Sequence, residues 1–321
     1  MTNTITPDQI RQAAAQAFEE CKSVTGGQNA SYIPYLADVP SSLFGLSVTL
    51  PDGTQFNFGD SEYLFGVESI SKVFTAILIL KQYGAGEVLR YIGADATGLP
   101  FNSIFAILLE QDRPSTPLVN SGAITACSMV EPKGDSWGKW EAIIENFATL
   151  CGTRPEVIDD LYKSESETNF TNRAIAWLLK SYNRIYDDVP MSLDLYTRQC
   201  SIGVDTRMLS VCAATIAGGG VHPITKQLVF PADLSPKITS LISTVGFYQN
   251  TGDWLYNSGV PAKSGVGGGV MAVLPGIMGI AAFAPPLDSA GNSVKAQAVV
   301  KALVEKLDLG IFATHSTVLN S

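Results

Sequence analysis

Twenty-one consecutive residues, Val266 to Pro286, carry no charged side chain. A run of that kind has to leave water, either across a membrane or through the centre of a folded domain. A helix in lipid is a poor fit. Gly267, Gly268, Gly269, Gly276 and Gly279 recur along the run, Pro275 interrupts it and Pro285-Pro286 closes it. Buried strands joined by a tight turn fit this pattern better. Such strands need partners, and the one comparable signal lies near the start. There LFGLSVTL (43–50) and TQFNF (54–58) flank Pro51-Asp52-Gly53, two alternating runs around a turn, which predicts a β-hairpin. The sheet is therefore expected to be assembled from the two ends of the chain.

Between them the patterns are helical. Val73 to Leu80, Ser136 to Leu150, Pro155 to Tyr162, Asn172 to Tyr182 and Thr206 to Ala217 repeat at helical spacing, the last stopped by Gly218-Gly219-Gly220. Two more helices are predicted at the ends. One is capped by Thr6, with Pro7 in its first turn and Ile10, Ala13, Ala14 and Phe18 on one face; the other runs from Val294 to Leu307 after Asn292-Ser293. The expected fold class is α+β: an antiparallel sheet flanked by helices, with an all-helical lobe inserted. Residues 1–321 read as one catalytic unit, with an α/β lobe of about 1–68 and 225–321 and a helical lobe of about 69–224. The site is expected in the crevice between the lobes.

Charge and composition remove several function classes. The chain has 21 Lys+Arg against 30 Asp+Glu, a formal charge of −9, which argues against a nucleic-acid face. Cys21, Cys127, Cys151, Cys200 and Cys212 are odd in number and contain no CxxC pair, as expected of reduced thiols in a cytoplasmic protein. The N-terminal stretch lacks the basic start and apolar core of a secretory signal. With only His222 and His315 present, neither a metal site nor a Ser-His-Asp triad is expected, and no cofactor is called for. His222, beside Pro223, is expected in a turn.

The chemistry centres on Ser69-Ile70-Ser71-Lys72, at the head of the apolar run VFTAILIL. Three residues apart on a helix, a hydroxyl and an amine share one face, and a lysine with a lowered pKa can activate a serine. Alone the motif is weak, since Ser69 could be a helix cap and Ser136-Trp137-Gly138-Lys139 repeats the spacing as an expected cap. Lys263-Ser264-Gly265 raises its weight. S-x-x-K followed by K-[ST]-G on a strand is the order used by penicillin-recognising serine enzymes, where the strand edge lends an N–H to an oxyanion hole. Gly265 would let ligand approach the backbone, and the Lys263 charge would lower the Lys72 pKa. The nearby Ala262-Lys263-Ser264 and Gly265-Val266-Gly267 match neither a P-loop nor a dinucleotide fingerprint.

These motifs sit among longer blocks: Tyr32-Ile33-Pro34, ESISKVFT, GADATGLPFNS, PLVNSGAI, SESETNFTNRAIAWLLKSY, LDLYTRQCS, VPAKSGVGGGV and LPGIMGIAAFAPPLD. In that order, from about Tyr32 to Leu309, the chain resembles the serine-dependent glutaminases, a family of serine β-lactamase/penicillin-binding-protein-like fold that hydrolyses L-glutamine. The resemblance implies Ser69 as nucleophile and Lys72 as base, with Tyr196 and Tyr248 relaying a proton. It places the Ser69 and Val266 N–H groups at the oxyanion hole, and Tyr32, Asn120, Glu165, Asn172 and Tyr196 around the amino-acid end of the substrate. It also implies a homo-oligomer, a dimer or tetramer, acting on a small molecule in the cytoplasm, with no membrane or nucleic-acid partner.

One position departs from the pattern. Many relatives have Gln where this chain has Glu68, so Glu68 is either a further binding group or a first-turn Glu favoured by the helix dipole. Bland readings exist for the others as well: Asn120 as a helix cap, Glu165 with Glu167 as a solvated acidic patch, Lys263 as a strand flank. Two rival functions remain, a penicillin-type hydrolase with a middle motif at Ser181-Tyr182-Asn183 or Tyr248-Gln249-Asn250, and a non-catalytic amino-acid sensor.

Overall fold

The computed structural model describes residues 2–110 and 112–320. Its centre is a five-stranded antiparallel sheet in the order Gln55–Gly59, Gly45–Thr49, Met278–Phe283, Gly269–Leu274, Ala262–Ser264. The hairpin and the uncharged run join side by side, with Leu46 opposite Ala282 and Val48 opposite Ile280. The charge-free stretch thus forms two neighbouring strands, every residue of which is buried.

Both faces of those strands are covered, which is why the run lacks the polar alternation of a half-exposed sheet. Val270, Ala272, Leu274, Met278, Ile280 and Ala282 face the two terminal helices, Pro7–Cys21 and Val294–Lys306. Met271, Val273, Ala281 and Phe283 face a second core, shared with the Ser71–Tyr83, Ser136–Cys151, Thr206–Ala217 and Leu234–Val245 helices. The Thr206–Ala217 helix lies directly on the sheet. Ser47 and Thr49 hydrogen-bond Thr206 and Ser210 at 2.8 and 2.7 Å, and a Cβ on Gly279 would collide with the Ala214 nitrogen and the Ser210 carbonyl.

Most of the expected caps are present. Thr6 and Gln9 form a reciprocal capping box, and the Ser293 side chain accepts from the Ala296 N–H. The turn at His222 is also seen, its Nδ1 accepting from the Ile224 and Thr225 N–H groups. Several expectations need correction. The helix predicted over Pro155 to Tyr162 begins only at Asp159, because Val157 is drawn into a β-bridge with Ile202. Asp135, not Ser136, caps the Ser136–Cys151 helix, accepting from Gly138 N. Lys139 of that repeated motif is buried in an ion pair with Asp187 at 2.6 Å. Elements with no counterpart in the sequence reading include the Val189–Cys200 and Leu234–Val245 helices, a parallel pair of Thr2–Ile5 with Ser316–Leu319, and a two-residue pairing of Phe65–Gly66 with Gly203–Val204.

Candidate active site

The Phe65–Gly66 pairing delivers the chain into a short 3₁₀ turn, Glu68–Ile70, that runs straight into the Ser71–Tyr83 helix. Ser69 and Lys72 come together here. Lys72 Nζ donates to Ser69 Oγ at 2.5 Å, and both residues are buried. Burial pushes the Lys72 amine down to about 8, against the opposing pull of the Glu68 and Glu165 carboxyls. A fraction of Lys72 is therefore neutral near pH 7 and able to take the serine proton.

The other wall is the turn after Ala262–Ser264. It packs against the nucleophile turn backbone to backbone: a Cβ on Gly265 would stand 2.9 Å from the Val67 carbonyl oxygen, and one on Gly267 2.5 Å from that of Gly66. Gly265 was expected to clear space for a ligand; what it clears is the seam between the two walls. Among the described residues the Val266 N–H meets no hydrogen-bond acceptor, as a donor reserved for substrate requires.

Lys263 lies behind this seam. Its Nζ donates to the carbonyls of Gly246, at 3.1 Å, and Ser264, at 2.6 Å, and stands 4.0 Å from the centre of the Tyr248 ring. Lowering of the Lys72 pKa by Lys263 is not what the environment supports. The Lys72 shift comes from burial, whereas Lys263 is itself driven well down by burial and then by Lys72. Lys263 acts as a strut between the two carbonyls. Tyr248 sits in the left-handed region at φ +54°, uncommon for a bulky residue, and its ring packs 4.7 Å from that of Phe101. Its buried hydroxyl makes no hydrogen bond of good geometry, although it is near enough to Ser69 for the two to influence one another. Lys72 Nζ stands 5.6 Å from the Tyr196 ring and 5.9 Å from that of Tyr248, and burial keeps both phenols protonated.

The residues expected around the amino-acid end form a connected set. Asn120 is not a cap: Val119 occupies that position, and the Asn120 side chain donates to Asn172 Oδ1 at 2.8 Å and accepts from the Tyr196 hydroxyl at 3.1 Å. Tyr32, Phe101, Asn120, Glu165, Asn169 and Asn172 line a small cavity of about 100 Å³. Tyr32 stands at its mouth, 57% exposed. Glu165 points inward and is buried, whereas Glu167 is exposed, so the two do not form a solvated patch. Glu68 is buried as well, at φ +49°, and so does not serve as a solvated first-turn residue.

The Glu68 and Glu165 carboxyl oxygens and the Cys200 sulfur all lie within 4.8 Å of one another. Burial, then the Glu165 charge, holds the Glu68 carboxyl well above its usual range; burial raises Glu165 to about 7, while Glu68, Lys72 and Ser201 pull it back. These three are the described residues that could approach a cation. The donor set suits one poorly, because burial holds Cys200 as a thiol and the Lys72 amine is adjacent. Cys200 and Phe101 were missed by the sequence reading, and nothing in their spacing marks them. Ser181-Tyr182-Asn183 is exposed at the end of the Phe170–Ser181 helix, with Tyr182 against Arg184 and no link to Ser69.

The glutaminase family model matches residues 27–312. The chain belongs to the glutaminase family. A glutaminase of Parabacteroides distasonis is 65% identical over 315 residues, 98% of each chain, and one of Bacteroides fragilis is 64% identical over 312 residues, 97% of each. A solved probable glutaminase, ybaS, superposes with a TM-score of 0.94 at 45% identity, over 96% of this chain and 99% of that one. A probable glutaminase from Bacillus subtilis, complexed with 6-diazo-5-oxo-L-norleucine, superposes with a TM-score of 0.83 at 31% identity, over 95% and 96%. The fold is thus the α+β, β-lactamase-like arrangement of this family.

Proposed function

We propose that this glutaminase hydrolyses the side-chain amide of L-glutamine to L-glutamate and ammonia with Ser69 as nucleophile and Lys72 as its base. The observation that carries the mechanism is the 2.5 Å contact between two buried groups, one a hydroxyl and the other an amine lowered to about 8. Ser69 Oγ attacks the amide carbon as its proton passes to Lys72. The resulting oxyanion is held by the Ser69 and Val266 N–H groups. Collapse breaks the C–N bond, and the nitrogen leaves as ammonia with a proton returned through Lys72, Tyr248 or Tyr196. Water then cleaves the glutamyl ester with the same base. Asn120, Asn172 and Tyr196 offer donors to the α-carboxylate, Glu165 and Glu68 face the α-ammonium, and Tyr32 covers the mouth. No step calls for a cofactor.

The intact Ser69–Lys72 contact speaks against a passive sensor. Of the two middle-motif candidates Ser181-Tyr182-Asn183 is exposed, whereas Tyr248-Gln249-Asn250 lies beside Ser69, so it is the small cavity lined by Asn120, Glu165 and Asn172 that speaks against a penicillin-type site. The test is ammonia release from L-glutamine beside L-asparagine and a chromogenic β-lactam. Glutamine alone should turn over, and Ser69→Ala should lose at least about a thousandfold in kcat while remaining folded. Near-normal turnover by folded Ser69→Ala would overturn the mechanism.

We further read the chain as one catalytic unit whose site draws on the lobes of about 1–68 with 225–321 and 69–224. A homo-oligomer, dimer or tetramer, is supported by exposed apolar side chains on two adjacent helices, Phe105 and Leu109 on one and Phe170 and Trp177 on the other. A cytoplasmic location is supported by five buried, unbridged cysteines; among the described residues no helix is long and apolar enough to cross a membrane.

A further inference from the structure

Glu68 and Glu165 face each other across the pocket with nothing to neutralise both. Each has its Oε1 buried and without a hydrogen-bond donor. Glu68 reaches this place by a left-handed backbone, φ +49°, a strained conformation for a non-glycine residue. Glycines make room for it: a Cβ on Gly66 would stand 3.4 Å from Glu68 Oε1, and Cβ atoms on Gly265 and Gly267 3.3 and 3.2 Å from its Cβ and Cγ.

The groups that face the pair from the surrounding elements are few. Lys72 comes from the Ser71–Tyr83 helix, Tyr196 and Cys200 from the Val189–Cys200 helix, Tyr248 from the turn at 248–250 and Tyr32 from the mouth, with the Ser201 hydroxyl beside Glu165. Burial keeps Cys200, Tyr196 and Tyr248 uncharged. Lys72 is the amine that acts on both enclosed carboxyls, and two such groups within 4.8 Å resist ionising together.

We propose that Glu68 and Glu165 form one acid pair that holds a single shared proton in the free enzyme, and that the α-ammonium of glutamine displaces this proton when it binds. The inference rests on the reading of Glu165 as the ammonium acceptor and adds the second carboxyl and the proton stoichiometry. The balance is simple: the zwitterionic substrate enters, its ammonium donates to both carboxylates, and one proton leaves to solvent. Glu68 then acts as a specificity residue, because a ligand without an ammonium leaves the proton in place and the second carboxyl uncompensated.

The sign of the pH dependence follows. Above the titration of this shared proton no proton needs to leave and KM is flat. Below it, KM rises about tenfold per pH unit, one proton being released for each glutamine bound. The experiment is the KM–pH profile of wild type and Glu68→Gln between pH 5 and pH 9. In the variant a lone Glu165 accepts from the new amide and stays ionised to lower pH, so its KM should stay flat to a lower pH than that of wild type. A purely structural role for Glu68 would raise KM equally at every pH, and parallel profiles overturn the proposal. A readout that leaves both carboxyls in place uses Ser69→Ala titrated with L-glutamine by calorimetry, at pH 6 and pH 8.5, in buffers of different ionisation enthalpy. Close to one proton released at pH 6 and fewer at pH 8.5 supports the pair; none at pH 6 overturns it. Failure of the underlying reading looks different: ammonia release would then be absent or independent of Ser69, whatever the protons do.

Discussion

The Lys263 side-chain nitrogen is stationed 4.0 Å above the ring of Tyr248 and ties the Gly246 carbonyl, two residues before that ring, to the Ser264 carbonyl. One amine thus joins the strand edge to the turn that presents Tyr248. Lys263→Met keeps the bulk and removes the donor. We expect kcat to fall about tenfold or more through a misplaced Tyr248, and Tm to fall by roughly 2–6 °C as two carbonyls lose a buried donor, Gly246 keeping that of the Ser264 N–H, read by steady-state kinetics and calorimetry.

The lowered Lys72 sets the direction of the activity profile. The neutral amine is the base, so activity grows as pH rises: kcat should climb about tenfold per unit and level off above about pH 8. A kcat that falls between pH 6 and pH 8 would contradict this role. Lys72→Ala should leave residual activity without that limb.

Glu165→Gln keeps shape and removes charge. A charge-assisted hydrogen bond contributes about 1.5–3 kcal/mol, so kcat/KM for L-glutamine should drop about tenfold or more. Against an analogue lacking the α-amino group the loss should be small. The ratio of the two efficiencies is the measurement.

Gly279→Ala tests the sheet–helix contact. The added methyl would meet backbone of the Thr206–Ala217 helix, which cannot rotate aside as a side chain could. A loss of about 2 kcal/mol or more in chemical denaturation is expected.

Chelation should change nothing. The cluster of Glu68, Glu165 and Cys200 suits a proton and an ammonium better than a divalent ion, so activity should survive prolonged EDTA. Recovery of a lost activity by a metal would refute this.

What could be read from the chain followed from how local each signal is. Ser69 and Lys72 announce themselves because their contact is a three-residue helical spacing, and the central strands because both faces are buried. The clamp was legible only through resemblance: Asn120 and Asn172 touch across fifty-two positions, and no periodicity links them. Lys263 was misjudged in kind, since the burial that lowers its own pKa is not displayed by the sequence. The Leu234–Val245 helix opens on Ser235-Pro236, which reads as a loop, and the Thr2–Ile5 and Ser316–Leu319 strands are too short and polar to stand out.

The pairing of Gly45–Thr49 with Met278–Phe283 has a consequence for how the protein is made. At about 5–20 residues per second, a ribosome needs roughly 10–50 s between exposing the first of these strands and the second. Throughout that interval the Gly45–Thr49 strand, every residue of which is buried in the finished molecule, lacks the Met278–Phe283 strand beside it. An apolar, half-covered segment is thus synthesised early, and the nascent chain is an obvious client for a holding chaperone until its last third emerges.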